Sequence, residues 1–547
     1  MTQSNLTLHD AAPAAFRPKD GQSTSGLGAS WSLSFLTPAS QKLGDRRIAF
    51  RWTVGILILG AALRFAWLIH DRFRVVDSEA FFEARAFATK GELADAYSLG
   101  SGLTAHLSPG MPLMVGTVYR WLGAGAPQAE FVLACLSLAF IYVSFLATNG
   151  AFKRLGTAPI ARIGALAVLA LLPLNLYTEM HEFRHWEGAI AAAAIALCLA
   201  RALELDGEER RPSWLDLGVL AAGGALLSLF SLPAALACFA ILGLLALRTR
   251  GWTGFVGAAA ASAALLVAIS YPWALRNEAA VGARVWTRTN FGINFALGYH
   301  DKAISPSDEW QVFLDRLREV SPFLHPAALA NLKAAGGEVA YDRLLTARTQ
   351  EWINQHPMGA LEIAARHVRE FYFPSRWMFW AGPIPVALKQ AAIWGIALIG
   401  FVGLGDRLAR RDWRFAYVAA PLVVLMLPYV LGLPILRYRY PIGGLLAFLA
   451  ADMTWRASKS VQRRLSSQSL LVDSPETPMD PSFVGRSNAS MSCPVQTSNS
   501  LLRGSLGAPT NRTACSGPCL VIVWLIGGAI LYALGVGFVL LAGIPGG

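Results

Sequence analysis

Three polar clusters interrupt an otherwise apolar chain, and each carries residue types that can do chemistry. The first reads Asp77-Ser-Glu79-Ala-Phe-Phe-Glu83, with Asp71 ahead of it and His106-Leu-Ser-Pro109-Gly-Met-Pro112 behind it. A carboxylate at Asp77, a few residues beyond the first apolar run, sits at a membrane surface where it can serve as a general base. The alternative is an ordinary solvated acid. The second cluster is Tyr177-Thr-Glu179-Met-His181-Glu182-Phe-Arg184-His185-Trp-Glu187. Its His181-Glu-Phe-Arg-His185 spacing is H-E-x-x-H, which on a helix presents two imidazoles to zinc with Glu182 as base. The third is Arg437-Tyr438-Arg439-Tyr440-Pro441, two guanidiniums at the start of a late apolar run.

The elements that must hold these clusters are membrane spans. Of 547 residues, 54% are hydrophobic and 15% charged, with 17 Trp and 28 Phe. A soluble chain carries about 25% charged residues. The mean hydropathy is +0.43. A soluble enzyme, a disordered scaffold and a disulfide framework are excluded. Cys135, Cys198 and Cys238 lie in apolar runs, and no cysteine spacing resembles a zinc site. Apolar runs fit crossings at 48–69, 131–149, 161–178, 186–203, 214–231, 232–248, 254–273, 386–404, 415–432 and 440–455, with one more at 519–543. The piece 109–122 is too short to cross and is expected to be half-inserted or interfacial. The expected architecture is therefore all-α and polytopic, with about 11–12 transmembrane helices and a small helical outer domain at 274–385.

The remaining divisions are a disordered N-terminus at 1–45, a transmembrane module at 46–273 with its first outer loop at 70–108, core helices at 386–456, a Ser-, Pro- and Asn-rich disordered linker at 457–518, and the added span within 519–547. Regular apolar spacing predicts helices at 309–320 and 339–371. The net charge of +12 is explained by orientation. Basic residues crowd the flanks around Arg46, Arg154, Arg201, Arg250, Arg410 and Arg463, which marks that side as cytoplasmic. Among the short loops opposite, only Arg72, Arg74, Arg85, Lys90, Arg184, Arg437 and Arg439 are basic. No nucleic-acid partner is needed to account for the charge; the bilayer is the partner.

With the elements placed, the order of motifs resembles the membrane-embedded C-type glycosyltransferases. The Asp just outside the first helix, the aromatic-rich helix after it, and the His106-x-x-Pro109-Gly-x-Pro112 turn carry the likeness. So do Tyr271-Pro-Trp-Ala-Leu-Arg276-Asn277, Thr289-Asn290-Phe-Gly-Ile-Asn294, Trp352 with His356-Pro357, and Arg437-Tyr438-Arg439-Tyr440-Pro441. The chain is most similar to the bacterial relatives of the protein O-mannosyltransferases (glycosyltransferase family 39) and the rhizobial lipopolysaccharide transferases, over about 48–455. Family members often have a Tyr after the first acid, where this chain has Phe81 and Phe82.

The resemblance implies an inverting transfer of a sugar from a polyprenyl-phosphate carrier to a lipid, polysaccharide or protein acceptor. The site would face the periplasm of a bacterial inner membrane. It gives the base role to Asp77 and a second acid to Glu187, with Glu182 as the alternative. Arg437 and Arg439 would hold the donor phosphate, because a guanidinium offers it two parallel donors. Arg276 is a further phosphate candidate, or a tie between the outer domain and the membrane. Glu79, His106, Pro109 and Tyr438 would shape the site. Arg64, inside the first helix, resembles an Arg common in the family, and its other reading is a snorkelling side chain. No cofactor is required, and a divalent ion on the donor phosphate has no support in the sequence. Two rivals stand beside this reading: an H-E-x-x-H zinc protease using His181, Glu182 and His185, and a transporter.

Overall fold

The computed structural model describes residues 46–75, 77–172, 174–379 and 385–472, with side chains from 47 to 463. The expected N-terminal tail, most of the linker and the span at 519–543 lie outside the described residues. Within them the chain is all-α, with a lone bridge between Ala94 and Leu103 as its extended pairing.

The bundle begins with α1 (Arg46–His70), whose Phe50, Ile58 and Ile69 are each more than 60% exposed. Large apolar side chains left open along a whole face suit lipid rather than water. Next come α2 (Glu79–Lys90), α3 (Gly110–Leu122), α4 (Pro127–Arg154) and α5 (Pro159–Leu171). The bundle continues through α6 (Gly188–Gly207), α7 (Trp214–Leu227) and α8 (Leu232–Val281). The small residues of α6 let it pack closely between α4 and α8. Ser213 and Asp216 close a capping box at the start of α7.

Each of the ten expected core crossings meets a helix, but their lengths differ from expectation. Six helices among the described residues are long and apolar enough to cross, or up to seven if the bent pair Pro159–Leu171 and Leu176–Arg184 is one span. That pair bends by 68°. α7 has only 14 residues. The last helix is apolar to Ala451 and then meets Asp452 and Arg456. Two expected crossings merge in the 50 residues of α8, which turn at Gly251 with φ 71° and ψ −160°. A Cβ on Gly243 would lie 3.1 Å from the Phe255 ring. Those positions would stand about 18 Å apart on a straight helix. The second arm of α8 therefore folds back on the first. α3, with 13 residues, is about 20 Å long and too short for a span.

Beyond α8 the outer domain comprises α9 (Phe291–Gly298), α10 (Glu309–Val320), α11 (Pro326–Ala334), α12 (Glu338–Gln355) and α13 (Pro357–Tyr372). The helix expected over 339–371 breaks at His356, which takes φ −127° and ψ 57°. Pro357 disfavours a helical residue before it and then starts the next helix well. The core closes with α14 (Val386–Ala409), α15 (Ala416–Leu431) and α16 (Tyr440–Val472). α16 runs on beyond 456, where the disordered linker was expected to begin.

The two ends of the bundle differ in charge. At one end the basic flanks meet each other's acids: Arg154 with Glu204 at 3.3 Å, Arg201 with Asp216 at 3.0 Å and Arg407 with Asp452 at 2.9 Å. The three polar clusters of the sequence gather at the opposite end, beneath the outer domain.

Candidate active site

Asp77 lies in the extended segment between α1 and α2, exposed, with its carboxylate in no hydrogen bond or ion pair among the described residues. Ser78 caps α2 by accepting from Phe81 N at 3.1 Å, which fixes where the segment enters the helix. Phe81 and Phe82 turn inward with Tyr119 and anchor α2 against α3. They take up the packing role at the positions where a tyrosine was the family expectation. α3 is seated by Pro109 at its N-cap, with Gly110 N donating to Leu229 O at 2.8 Å. A Cβ on Gly110 would meet the Phe230 ring at 2.6 Å, so that approach requires glycine.

At the first residue of α2, Glu79 faces His106 Nε2 at 3.9 Å. Burial pushes the Glu79 carboxyl up, but His106 and the charge of Arg437 outweigh it and leave the group below its ordinary value. Glu79 therefore joins the first cluster to the third. Arg437 places Nη1 3.4 Å from Glu182 Oε1, and its guanidinium lies 4.4 Å above the Trp186 ring. Tyr438 stacks on Tyr429 at 4.4 Å between ring centres. Glu187, just ahead of α6, lines the same cleft as Trp186, Tyr429, Arg437 and Tyr438. The second and third clusters thus form one wall.

Arg439, two residues beyond Arg437 and not among the residues that line this cleft, is the anomaly of the third cluster. It is only 6% exposed, and its Nε has no hydrogen-bond partner. No acid answers it among the described residues. Burial alone pulls its guanidinium down to about 10. A buried charge without a counter-charge is costly, and such a group persists where an anion completes it.

Arg276 is occupied differently. Its Nη1 donates to Thr104 O and its Nη2 to Leu93 O at 2.6 Å, with the cation 5.1 Å from the Trp273 ring. These bonds tie the first outer loop to the end of α8, where the sequence had offered a tie from the outer domain to the membrane. Arg64 does not snorkel. It is 3% exposed and pairs with Glu179 at 2.7 Å, while Tyr440 donates to the same carboxylate at 2.7 Å. Gly60 and Ala170 pack so tightly that the Arg64 Nη1 also reaches Ala170 O at 2.7 Å. The first helix, the second outer loop and the start of α16 are locked together by this triad.

The helical premise of the H-E-x-x-H reading fails. His181 falls between a short helix, Leu176–Met180, and a 3-10 turn, Glu182–Arg184. Its Nδ1 faces Asp71 Oδ2 at 3.1 Å. His185 instead meets the Tyr119 hydroxyl at 2.7 Å, deep beside the Glu130–Arg184 ion pair of 2.7 Å. Glu182 is spent on Arg437, and Glu204 sits at the far end of the bundle. Among the described residues no group of three or more His, Cys, Asp or Glu is placed to hold a metal ion.

Two carboxylates that sequence reasoning missed, Glu338 buried and Asp342 half-buried, fix the outer domain over the site. Glu338, at the start of α12, accepts from Ala105 N at 2.5 Å and Thr104 Oγ1 at 2.7 Å. Asp342, one turn later, accepts from Gly292 N at 2.6 Å. Their partners are 233, 234 and 50 residues away along the chain. The only local signal was an acidic pair at i, i+4 on a helix of ordinary composition.

No protein-family model matches the chain, and no curated protein matches it in sequence. Among solved structures it is similar to the archaeal oligosaccharyltransferase AglB from Archaeoglobus fulgidus, in complex with an inhibitory peptide and a dolichol-phosphate. That match has 10% identity and a TM-score of 0.42, over 80% of this chain and 53% of that one. The chain thus spans about half the length of the archaeal protein. It is also similar to ArnT from Cupriavidus metallidurans in the apo state, with 18% identity and a TM-score of 0.33, over 73% of this chain and 76% of that one. The same protein bound to undecaprenyl phosphate gives 17% identity and 0.31, over 74% and 78%. Likenesses at these scores bear on neither activity nor residue roles, and the chain is described from its own structure as an all-α multi-pass membrane protein.

Proposed function

We propose that this chain is a C-type membrane glycosyltransferase that moves a sugar from a polyprenyl-phosphate carrier to an acceptor on the outer side of a bacterial inner membrane. The observation that carries the reading is Arg439, a buried guanidinium without a counter-charge beside Arg437 and at the same end of the bundle as the exposed Asp77. A phosphodiester lying at the membrane surface supplies the missing anion. A polyprenyl chain places its phosphate at that depth.

In this mechanism Asp77 takes the proton from an acceptor hydroxyl as its oxygen attacks the anomeric carbon. The carbon–oxygen bond to the carrier phosphate breaks on the opposite face, so configuration inverts. The leaving phosphate keeps the electron pair, and Arg437 and Arg439 meet its charge. Glu79 and His106 shape the floor, and Glu187 is the second acid of the cleft. Glu182 balances Arg437 until donor arrives. Nothing in this sequence of events calls for a metal or cofactor.

The test is transfer by purified Asp77→Asn supplied with a polyprenyl-phosphate sugar. A loss of at least a hundredfold in kcat is expected, and near-normal transfer sinks the assignment. Flux of the sugar into sealed liposomes, with no transfer product, would instead mark a transporter.

A further inference from the structure

The outer domain contains a cleft of about 550 Å³ that the reaction above does not use. It lies between α9 and α12 on one side and α10 and α11 on the other. The volume suits one or two sugar rings. Its walls are not those of a hydrophobic pocket. Arg316 and Arg348 bring guanidiniums, Glu319 a carboxylate, Asn331 an amide, and His300 and Trp352 aromatic rings.

These groups divide into some already spent and some open. Arg316 gives Nε to Ala296 O at 2.9 Å and Nη1 to Glu319 at 2.7 Å. Trp352 gives its indole N–H to Asp301 at 2.7 Å and stacks on His356 at 5.1 Å. Arg348, by contrast, is exposed and forms no hydrogen bond or ion pair with the described residues. Burial, and then the charge of Arg316, hold His300 down to about 4, so its ring is neutral at pH 7 and can donate from one nitrogen and accept at the other.

The mixture of donors and acceptors selects the ligand. A phosphate or polyanion needs cations without carboxylates, and Glu319 and Asp301 stand in its way. A sugar hydroxyl both donates and accepts, so it needs both kinds of group, and an aromatic side chain suits its C–H face. The unpaired Arg348 leaves room for one negative charge, as on a uronic acid. We propose that this cleft is a binding subsite for a hydroxyl-rich saccharide that is neutral or singly anionic.

The cleft is also fixed relative to the membrane site. Tyr299, on its wall, donates to Val430 O at 2.6 Å near the end of α15. Glu338, at the head of α12, holds the first outer loop at Ala105 and Thr104. A saccharide seated in the cleft is therefore held in one frame with Asp77. Its assignment to the acceptor rests on the glycosyl-transfer reading.

The experiment is binding of the purified full-length protein in detergent to an array of di- to tetrasaccharides. The array contains neutral and uronic members and phosphorylated counterparts of each. Wild type is expected to bind unphosphorylated members. Arg348→Ala and Asn331→Ala should each bind at least tenfold more weakly, and Asp77→Asn should bind as wild type does. The proposal is overturned if wild type binds nothing, if it binds phosphorylated members alone, or if neither cleft substitution weakens binding. A saccharide bound by wild type and by Asp77→Asn, but given no sugar by wild type from a polyprenyl-phosphate donor, keeps the cleft as a saccharide site and removes its acceptor role. Transfer without array binding removes the cleft as a saccharide site and leaves the glycosyl-transfer reading standing.

Discussion

Glu182 holds Arg437 by an ion pair of 3.4 Å, and in doing so occupies one of the two guanidiniums that face the proposed donor phosphate. The pair is long, and the Arg437 Nε remains without a partner. An incoming phosphate would compete with a weakly held carboxylate rather than fill an empty place. If the donor phosphate binds there as proposed, Glu182 acts as a brake on its binding.

Replacing Glu182 with Gln removes the competing charge and keeps the shape. The KM for a polyprenyl-phosphate sugar is expected to fall two- to fivefold, on the order of 1 kcal/mol for one partly screened charge. The kcat should change little. A fall in kcat of tenfold or more with KM unchanged would give Glu182 the role of an acid in the reaction instead.

Arg439 leads to a prediction with opposite effects on stability and binding. In the absence of donor its burial is unrewarded, so Arg439→Met should raise the thermal midpoint of the purified protein. The gain is about 1–3 kcal/mol, the range found when an uncompensated buried polar group gives way to an apolar one. The same variant should lose the further stabilisation that wild type gains from added polyprenyl phosphate. A variant less stable than wild type, or one still stabilised by the lipid, would show that Arg439 has a structural partner and no anion to bind.

The sequence showed different parts of this arrangement to different depths. The longer crossings were legible as long apolar runs, whereas α7 and α16 fell short of the expected spans and the reversal at Gly251 merged two others. Arg437 and Arg439 stood out as exceptions to the rule that places basic charge inside, and Asp77 by its place just beyond the first crossing. What stayed hidden was pairing across the fold. Nothing near Arg64 in the chain announces Glu179, and nothing near Glu338 announces Ala105. The H-E-x-x-H spacing misled for a related reason. It presupposes a helix, and the chain breaks at His181 so that Arg184 can reach Glu130.

The Arg64–Glu179 pair provides a direct test of that hidden architecture. Both side chains are 3% exposed. Arg64→Leu leaves the carboxylate buried with only the Tyr440 hydroxyl to answer it, at a cost of about 3–5 kcal/mol. Adding Glu179→Gln removes the stranded charge and still accepts from Tyr440. The double variant should recover most of the lost thermal stability. If it is no more stable than Arg64→Leu alone, the packing of the Arg64 side chain against Ala170, not its charge, is what joins these elements.

Asp342 connects the outer domain to pH. Burial is the main cause that raises its carboxyl from 3.8 to about 6, and the bond from Gly292 N and the charge of His106 offset only part of that. The folded state therefore binds the proton more tightly than the unfolded chain. Between pH 3.8 and 6 the folded chain carries the extra proton, so this group's contribution to stability declines as pH rises through that window. Above pH 6 the buried charge costs up to about 3 kcal/mol. Asp342→Asn keeps an oxygen for Gly292 N and never ionises. It should melt several degrees above wild type at pH 7.5 and level with it at pH 4, as thermal unfolding in detergent would record. A variant that melts below wild type at pH 7.5, or by the same margin above it at both pH values, would mean that the Asp342 charge is compensated in the folded state.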